Sequence, residues 1–128
     1  MKKSVLHEKS FSFAIRCTKL YRYLVDNKRD FIISKQFLRS GTAIGALIHE
    51  GKYAESKLDF IHKYAIALKE CNETIYWLEL LYRTDTINDE EYTSIITDAQ
   101  EIKKILSSSI LTVKTSLKKS NHEYIHRS

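Results

Sequence analysis

The chain has 128 residues, 43% of them hydrophobic, with three glycines, two cysteines and no proline. That length gives room for one domain with a sizeable core, and without proline nothing interrupts long helices, so an all-α fold is expected. A net charge of +5 turns attention to anionic partners, while no apolar run nears the ~20 residues of a membrane span and the Lys2-Lys3 start carries no signal-type apolar core; a soluble, cytoplasmic protein is the expectation.

Read for period, the chain divides into four helical segments. The first runs from about Ser4 to Asp26, with Leu6, Phe13, Ala14, Cys17, Leu20, Tyr21 and Leu24 on one side. After a short polar turn, Asn27 to Asp30, a second spans Phe31 to Glu50 and gathers Phe37, Gly41, Ile44 and Ile48 on one face. This segment also holds Gly41 and Gly45, and each glycine inside a helix costs roughly 1 kcal/mol relative to alanine. Four apart, and flanked by Ser40, Thr42, Ala43 and Ala46, they form a flat strip where another backbone can approach closely. Gly51 reads as a helix stop.

A third segment, about Glu55 to Arg83, places Leu58, Ile61, Ala65, Leu68, Ile75, Leu78 and Tyr82 in the 3-4 rhythm. Between Leu58 and Tyr82, 16 of 25 residues are apolar or aromatic, whereas a bundle helix needs only about three positions in seven for its own core. Phe60, Tyr64, Ala67, Cys71, Tyr76, Trp77 and Leu80 are then surplus to one core. Either this helix is the most central one of a monomer, or an oligomer interface buries some of the surplus, with Tyr64, Tyr76 and Trp77 as candidates. The turn from Thr84 to Asp89 supplies N-cap residues for a fourth helix to Lys118, where Tyr92, Ile95, Ala99, Ile102, Leu106, Ile110, Val113 and Leu117 keep a seven-residue repeat. Residues 121–128 have no period and are expected to fray beyond a single domain over 1–120. Long helices joined by short turns fold back on their neighbours, which predicts an antiparallel up-down-up-down four-helix bundle with the first and fourth helices adjacent.

Charge is segregated along the chain. Residues 1–39 carry ten Lys/Arg against three Asp/Glu, net +7; residues 40–101 carry five against twelve, net −7; residues 102–128 carry six against one, net +5. With the outer helices adjacent, the two basic segments should merge into one positive surface while the third helix turns acids outward. Lys2, Lys9, Arg16 and Lys19 share a sector of the first helix with Tyr23 among them, and Lys103, Lys104, Lys114 and Lys118 lie beside the apolar stripe of the fourth. Lysines with an interleaved tyrosine suit phosphate contacts and base stacking. Pairing with a charged protein, or plain solubility, would use the same pattern.

Catalytic constellations are missing. The glycine spacing fits no phosphate loop, and the adjacent His49 and Glu50 point apart on a helix. His62, between Ile61 and Lys63 on the third helix, reads as a surface or interface residue. His122 and His126, four apart, would make only two metal ligands in a fraying end. Glu70, Glu73 and Glu79 fit a solvated or salt-bridged face, since a di-metal bundle site needs a Glu-x-x-His on each of two helices and the chain has a single one, Glu123 to His126. Cys17 and Cys71 match no metal spacing and read as reduced core thiols. Neither an enzyme nor a bound cofactor is expected.

Three linked strings carry a family resemblance: Leu38-Arg-Ser-Gly-Thr-x-Ile-Gly-Ala-x-Ile-x-Glu50, Ser56-Lys-x-Asp-Phe-Ile61, and Ile66-Ala-Leu-Lys-Glu-x-Asn-Glu-Thr-x-Tyr-Trp-Leu78. Over about Phe11 to Leu111 the chain resembles the bacterial four-helix-bundle proteins, also called 23S rRNA intervening-sequence proteins. The resemblance implies a small bundle that forms a homopentameric ring and has no settled activity. A related branch, the accessory variability determinants of diversity-generating retroelements, uses a basic pentamer to bind a reverse transcriptase and RNA. One departure is Leu47, where a common form of the family motif has Asn. The expectation is therefore a non-enzymatic homo-oligomer that binds RNA or a nucleoprotein through the first and fourth helices, or a protein-interaction scaffold that touches no nucleic acid.

Overall fold

A computed structural model describes residues 4–127, with side chains over residues 4–121. The described residues form four helices and no strand: α1 (Val5–Asp26), α2 (Ile33–Gly51), α3 (Lys57–Arg83) and α4 (Asp89–Arg127). Each helix packs on the next, and α4 also touches α1.

Local chemistry sets the helix ends. Asp30 accepts the Ser34 N–H through Oδ1 (2.8 Å) and the Ser34 hydroxyl through its carbonyl (2.6 Å), fixing the entry to α2. Ser56 caps α3 by accepting the Asp59 N–H at 3.0 Å. Asn88 and Glu91 form a reciprocal capping box on α4, each side chain accepting the other's backbone N–H at 2.8 and 2.9 Å. At the α3 C-terminus the Thr86 N–H donates to the Leu81 carbonyl (2.9 Å) and the Asp85 N–H to that of Tyr82 (3.0 Å). That is a Schellman closure, with Asp85 in the left-handed region (φ 60°) where glycine is usual. Tyr82 stacks on Tyr92 with centroids 4.2 Å apart and donates its hydroxyl to Asp89 at 2.6 Å, clamping the same turn. No proline or glycine follows Gly51, so nothing stops α4 at Lys118, and it continues to Arg127 past the end of its apolar repeat.

The core is one cluster. Leu6, Phe13, Cys17 and Leu24 of α1 meet Phe37, Ile44 and Ile48 of α2 and Ile95, Ala99, Ile102, Leu106 and Ile110 of α4. On α3 the buried face is Tyr64, Ala67, Cys71, Thr74, Leu78 and Leu81. This face is rotated from the sequence-based stripe: Leu58 and Ala65 are exposed, while Tyr64, Ala67 and Cys71, counted as surplus, lie inside. An apolar excess on α3 satisfies two overlapping 3-4 rhythms, and the second one faces α2 and α4, with Tyr64 against Gly51 and Cys71 against the Ala99 carbonyl.

The α1–α2 and α2–α3 seams show why small residues sit there. A Cβ on Gly41 would lie 2.6 Å from Cys17 Sγ, one on Gly45 3.3 Å from the Ser10 carbonyl oxygen, and one on Gly51 2.6 Å from the Tyr64 ring. Gly51 is thus the last residue of α2 without a left-handed φ; the bulk of Tyr64 requires glycine there. Beside Gly41, the Thr74 hydroxyl donates to the buried Ser40 Oγ (3.0 Å), which donates to the Phe37 carbonyl (3.2 Å), tying α2 to α3 through hydroxyls that each have a partner.

Candidate nucleic-acid interface

The flank of α1 turned towards α4 carries Lys9 and Arg16, seven residues apart, and the facing flank of α4 carries Ser94, Asp98 and Glu101. Lys9 Nζ lies 2.5 Å from Glu101 Oε1. Arg16 Nη1 donates to Asp98 Oδ2 at 2.6 Å, and Nη2 donates to Ser94 Oγ at 2.8 Å. Both pairs are about half exposed, so each stabilises by at most ~1 kcal/mol, but each cancels a cation. The expected merging of the α1 and α4 basic sectors into one positive surface is therefore corrected: what α4 shows α1 is carboxylate, over an open groove of about 280 Å³ lined by Glu8, Lys9, Ser12, Asp98, Glu101 and Ile102.

Lys103, Lys104, Lys114 and Lys118 sit elsewhere on α4, roughly 120–160° around the helix from Asp98 at 100° per residue. All four are exposed, as is Lys19 on α1, and none of the five pairs with a carboxylate among the described residues. Tyr23 is half-buried. Lys103 lies on the α3 side, close enough to act electrostatically on Cys71. Lys2, at the head of the α1 sector, is outside the described residues, and so are the side chains of His122 and His126.

The acidic groups of α3 are largely paired. Arg39 of α2 bridges Glu70 (3.1 Å) and Glu73, and Arg83 meets Glu79 at 2.8 Å. Glu50 at the end of α2 pairs with Lys63 of α3 at 3.2 Å. The Trp77 indole N–H donates to Glu73 at 3.0 Å, and this bond, with the Arg39 contact, holds the Glu73 carboxyl below the usual carboxylate range. Sequence reasoning missed this α2–α3 network because Arg39 and Glu73 are 34 residues apart; only the common outward sector of Glu70, Glu73 and Trp77 hinted at it.

Of the three aromatics assigned to an oligomer interface, Tyr64 is 5% exposed and packed against Gly51 and Phe60, so it belongs to the intrachain core. Tyr76 is 58% exposed and meets the half-buried Trp77 edge-on at 5.0 Å. Phe11 and Ile15, one turn apart on the outer face of α1, are exposed as well. Among the described residues no group of three or more His, Cys, Asp or Glu side chains is placed to hold a metal ion, and no helix is long and apolar enough to cross a membrane.

Comparison with known proteins agrees with this architecture. A solved structure of a protein of unknown function from the S23 ribosomal protein family of Bacteroides thetaiotaomicron is 55% identical, covering 83% of this chain and 98% of that one, with a TM-score of 0.82. No curated protein matches. Residues 2–108 match the family described as 23S rRNA-intervening sequence protein, and the chain belongs to that family.

Proposed function

We propose that this protein is a non-enzymatic, cytoplasmic, self-associating bundle that holds RNA or an RNA-bound protein on the lysines of α4 and on Lys19. The observation that carries this reading is those five exposed cations without carboxylate partners, in a chain where most other charges near the helix seams are neutralised in pairs. Lys9 and Arg16, tied to Glu101 and Asp98, act as struts of the α1–α4 seam rather than as phosphate ligands.

The up-down-up-down topology is inferred from the reversed order of cross-helix pairs. Ser10 lies by Gly45 and Cys17 by Gly41; Lys9 meets Glu101 and Arg16 meets Ser94; Glu50 meets Lys63 and Arg39 meets Glu73; Lys57 reaches Ser116 and Cys71 reaches Ala99. Self-association draws on two exposed apolar patches, Phe11 with Ile15 on α1 and Tyr76 with Trp77 on α3. α1 and α3 stand diagonally, with no Cα pair within 8 Å among the described residues. Two different patches facing apart favour a head-to-tail contact that closes into a ring, of which the pentamer is the family's form. A role beside a reverse transcriptase, as in the retroelement branch, is one version of the RNA-bound-protein reading.

Fluorescence anisotropy with single-stranded RNA at low salt tests the reading. If up to five phosphates are neutralised, the log-log salt slope should be about −3 to −4, at roughly −0.7 per phosphate, and Lys114→Glu with Lys118→Glu should weaken binding across sequences. Light scattering should give a multiple of 15.0 kDa. A protein that self-associates without RNA affinity is the interaction scaffold instead.

A further inference from the structure

We propose that the corner between α1 and α2, residues 28–35, is a separate RNA contact that grips a single strand, with Phe31 and Arg29 stacking on an unpaired base. The inference rests on the RNA reading above and adds the strand preference and the contact residues. In the sequence the polar turn ended at Asp30; in the fold the non-helical connection continues to Ile32 and is exposed, basic and aromatic. Phe31 is 51% exposed and Ile32 80% exposed, although both adjoin a helix with a full core face. Arg29, in the left-handed region at φ 55°, places its guanidinium 5.1 Å from the centroid of the Phe31 ring. The guanidinium lies over the ring of a half-exposed phenylalanine, and aromatic rings and guanidinium planes are the flat groups on which bases stack.

Charge complementarity selects a polyanion. Arg22 at the end of α1, Lys28 and Arg29 in the turn, and Lys35 in the first turn of α2 are all exposed, and none pairs with a carboxylate among the described residues. The nearest acid that faces α2, Asp30, is occupied in capping Ser34. α2 has no acidic residue within its first turn, so Asp30 is the carboxylate that meets its N-terminal N–H groups. Two apolar side chains are too few to anchor a bilayer insertion, which depends on a long apolar face, whereas one exposed ring suffices for one base.

The test uses the full chain, a fluorescent short oligouridylate, an RNA duplex of matched length, and vesicles containing an anionic lipid. Phe31→Ala should weaken single-strand binding by about 5- to 150-fold with the salt slope unchanged and duplex binding unaffected, and Phe31→Trp should restore it. Lys28→Glu with Arg29→Glu should weaken binding and lower the salt slope by about 1.4, two phosphates at roughly 0.7 each. These side chains are exposed, so an unchanged helical circular dichroism spectrum keeps folding out of the comparison. If the parent binds RNA and the corner variants bind equally well while Lys114→Glu/Lys118→Glu binds poorly, the corner assignment is overturned and the proposed function stands. If the corner variants lose vesicle binding but keep RNA binding, the occupant is a lipid surface and this inference is wrong. Absence of RNA binding by the parent removes both.

Discussion

Gly41 and Cys17 are in contact so close that a Cβ on the glycine would stand 2.6 Å from the cysteine Sγ and 3.3 Å from its Cβ. Cys17 is fully buried, so Gly41→Ala must either turn the sulfur into packed core or displace α1 or α2. Helix propensity would favour alanine by about 1 kcal/mol; overpacking costs typically 1–3 kcal/mol and should win, for a net loss of up to about 2 kcal/mol in urea unfolding. Removing the sulfur in Cys17→Ala should relieve most of that loss. The double variant is then more stable than the sum of the single effects by about 1 kcal/mol or more. Additive losses would show that the close approach is not what keeps glycine at 41.

Gly45 sits under a firmer constraint, because its neighbour is the backbone carbonyl of Ser10 at 3.3 Å. A side chain can repack, whereas a helix backbone moves only as a unit. Gly45→Leu should cost about 3 kcal/mol or more, at the upper end of overpacking effects, and should lower the thermal midpoint further than Gly41→Ala. A midpoint for Gly45→Leu equal to that of the parent would refute the close packing of α1 on α2.

The two thiols should be inert in the native state. Cys17 and Cys71 are fully buried; burial pushes the Cys17 thiol well above its ordinary value and that of Cys71 up to about 11. They belong to α1 and α3, which have no Cα pair within 8 Å among the described residues, beyond the ~7 Å that a disulfide can span. Reaction with a thiol reagent should therefore follow unfolding, and oxidant should produce no intrachain bridge. Fast labelling of either cysteine in the folded protein would contradict the packing.

Asp85 closes α3 in a conformation that suits glycine. Left-handed φ costs a non-glycine residue roughly 1–2 kcal/mol, partly offset in the variant by the greater chain entropy of unfolded glycine. Asp85→Gly should raise stability by about 0.5–1 kcal/mol in equilibrium unfolding while leaving the Tyr82–Asp89 contact in place. A loss of stability would mean that the Asp85 side chain contributes more than its backbone costs.

Much of the fold is legible in the sequence because single-sided helices announce their faces. The stripes of α1, α2 and α4 coincide with the buried residues at Leu6, Phe13, Cys17, Leu24, Phe37, Ile44, Ile95, Ala99, Ile102 and Leu106. α3 was ambiguous: apolar on several sides, it could bury Leu58 and Ala65 or Tyr64 and Cys71, and only steric fit against Gly51 and the α1–α2 seam decides. The candidate interface was legible only as a list of cations. Segment charge says nothing about which flank of a helix carries the acids, so Asp98 and Glu101 opposite Arg16 and Lys9 went unseen, although the seven-residue spacing of Lys9 and Arg16 is matched by that of Ser94 and Glu101. Of the exposed pair, Arg29 lay in a turn, where periodicity carries no information, and Phe31 at the expected start of the second helix, outside its apolar face, whereas α2 begins at Ile33.

His7 supplies a pH dependence with a definite sign. Half-buried in α1, it has its pKa lowered from 6.5, chiefly by burial and further by Lys52 and His49 of α2, with the Ile48 carbonyl and Glu8 opposing. The folded state therefore resists a proton that the unfolded chain accepts. Stability from this group is complete above the unfolded pKa of 6.5 and is lost as pH falls from there through the lower folded pKa, because in that window the unfolded state binds more protons. Chemical denaturation at a series of pH values from neutral to mildly acid should show the parent losing stability across that window. His7→Gln, which cannot titrate, should lose less, so the two curves converge towards acid if the parent is the more stable at neutral pH. Parallel curves for parent and variant would assign the acid sensitivity to other groups, with Glu73, held low by Trp77 and Arg39, titrating at more acid pH.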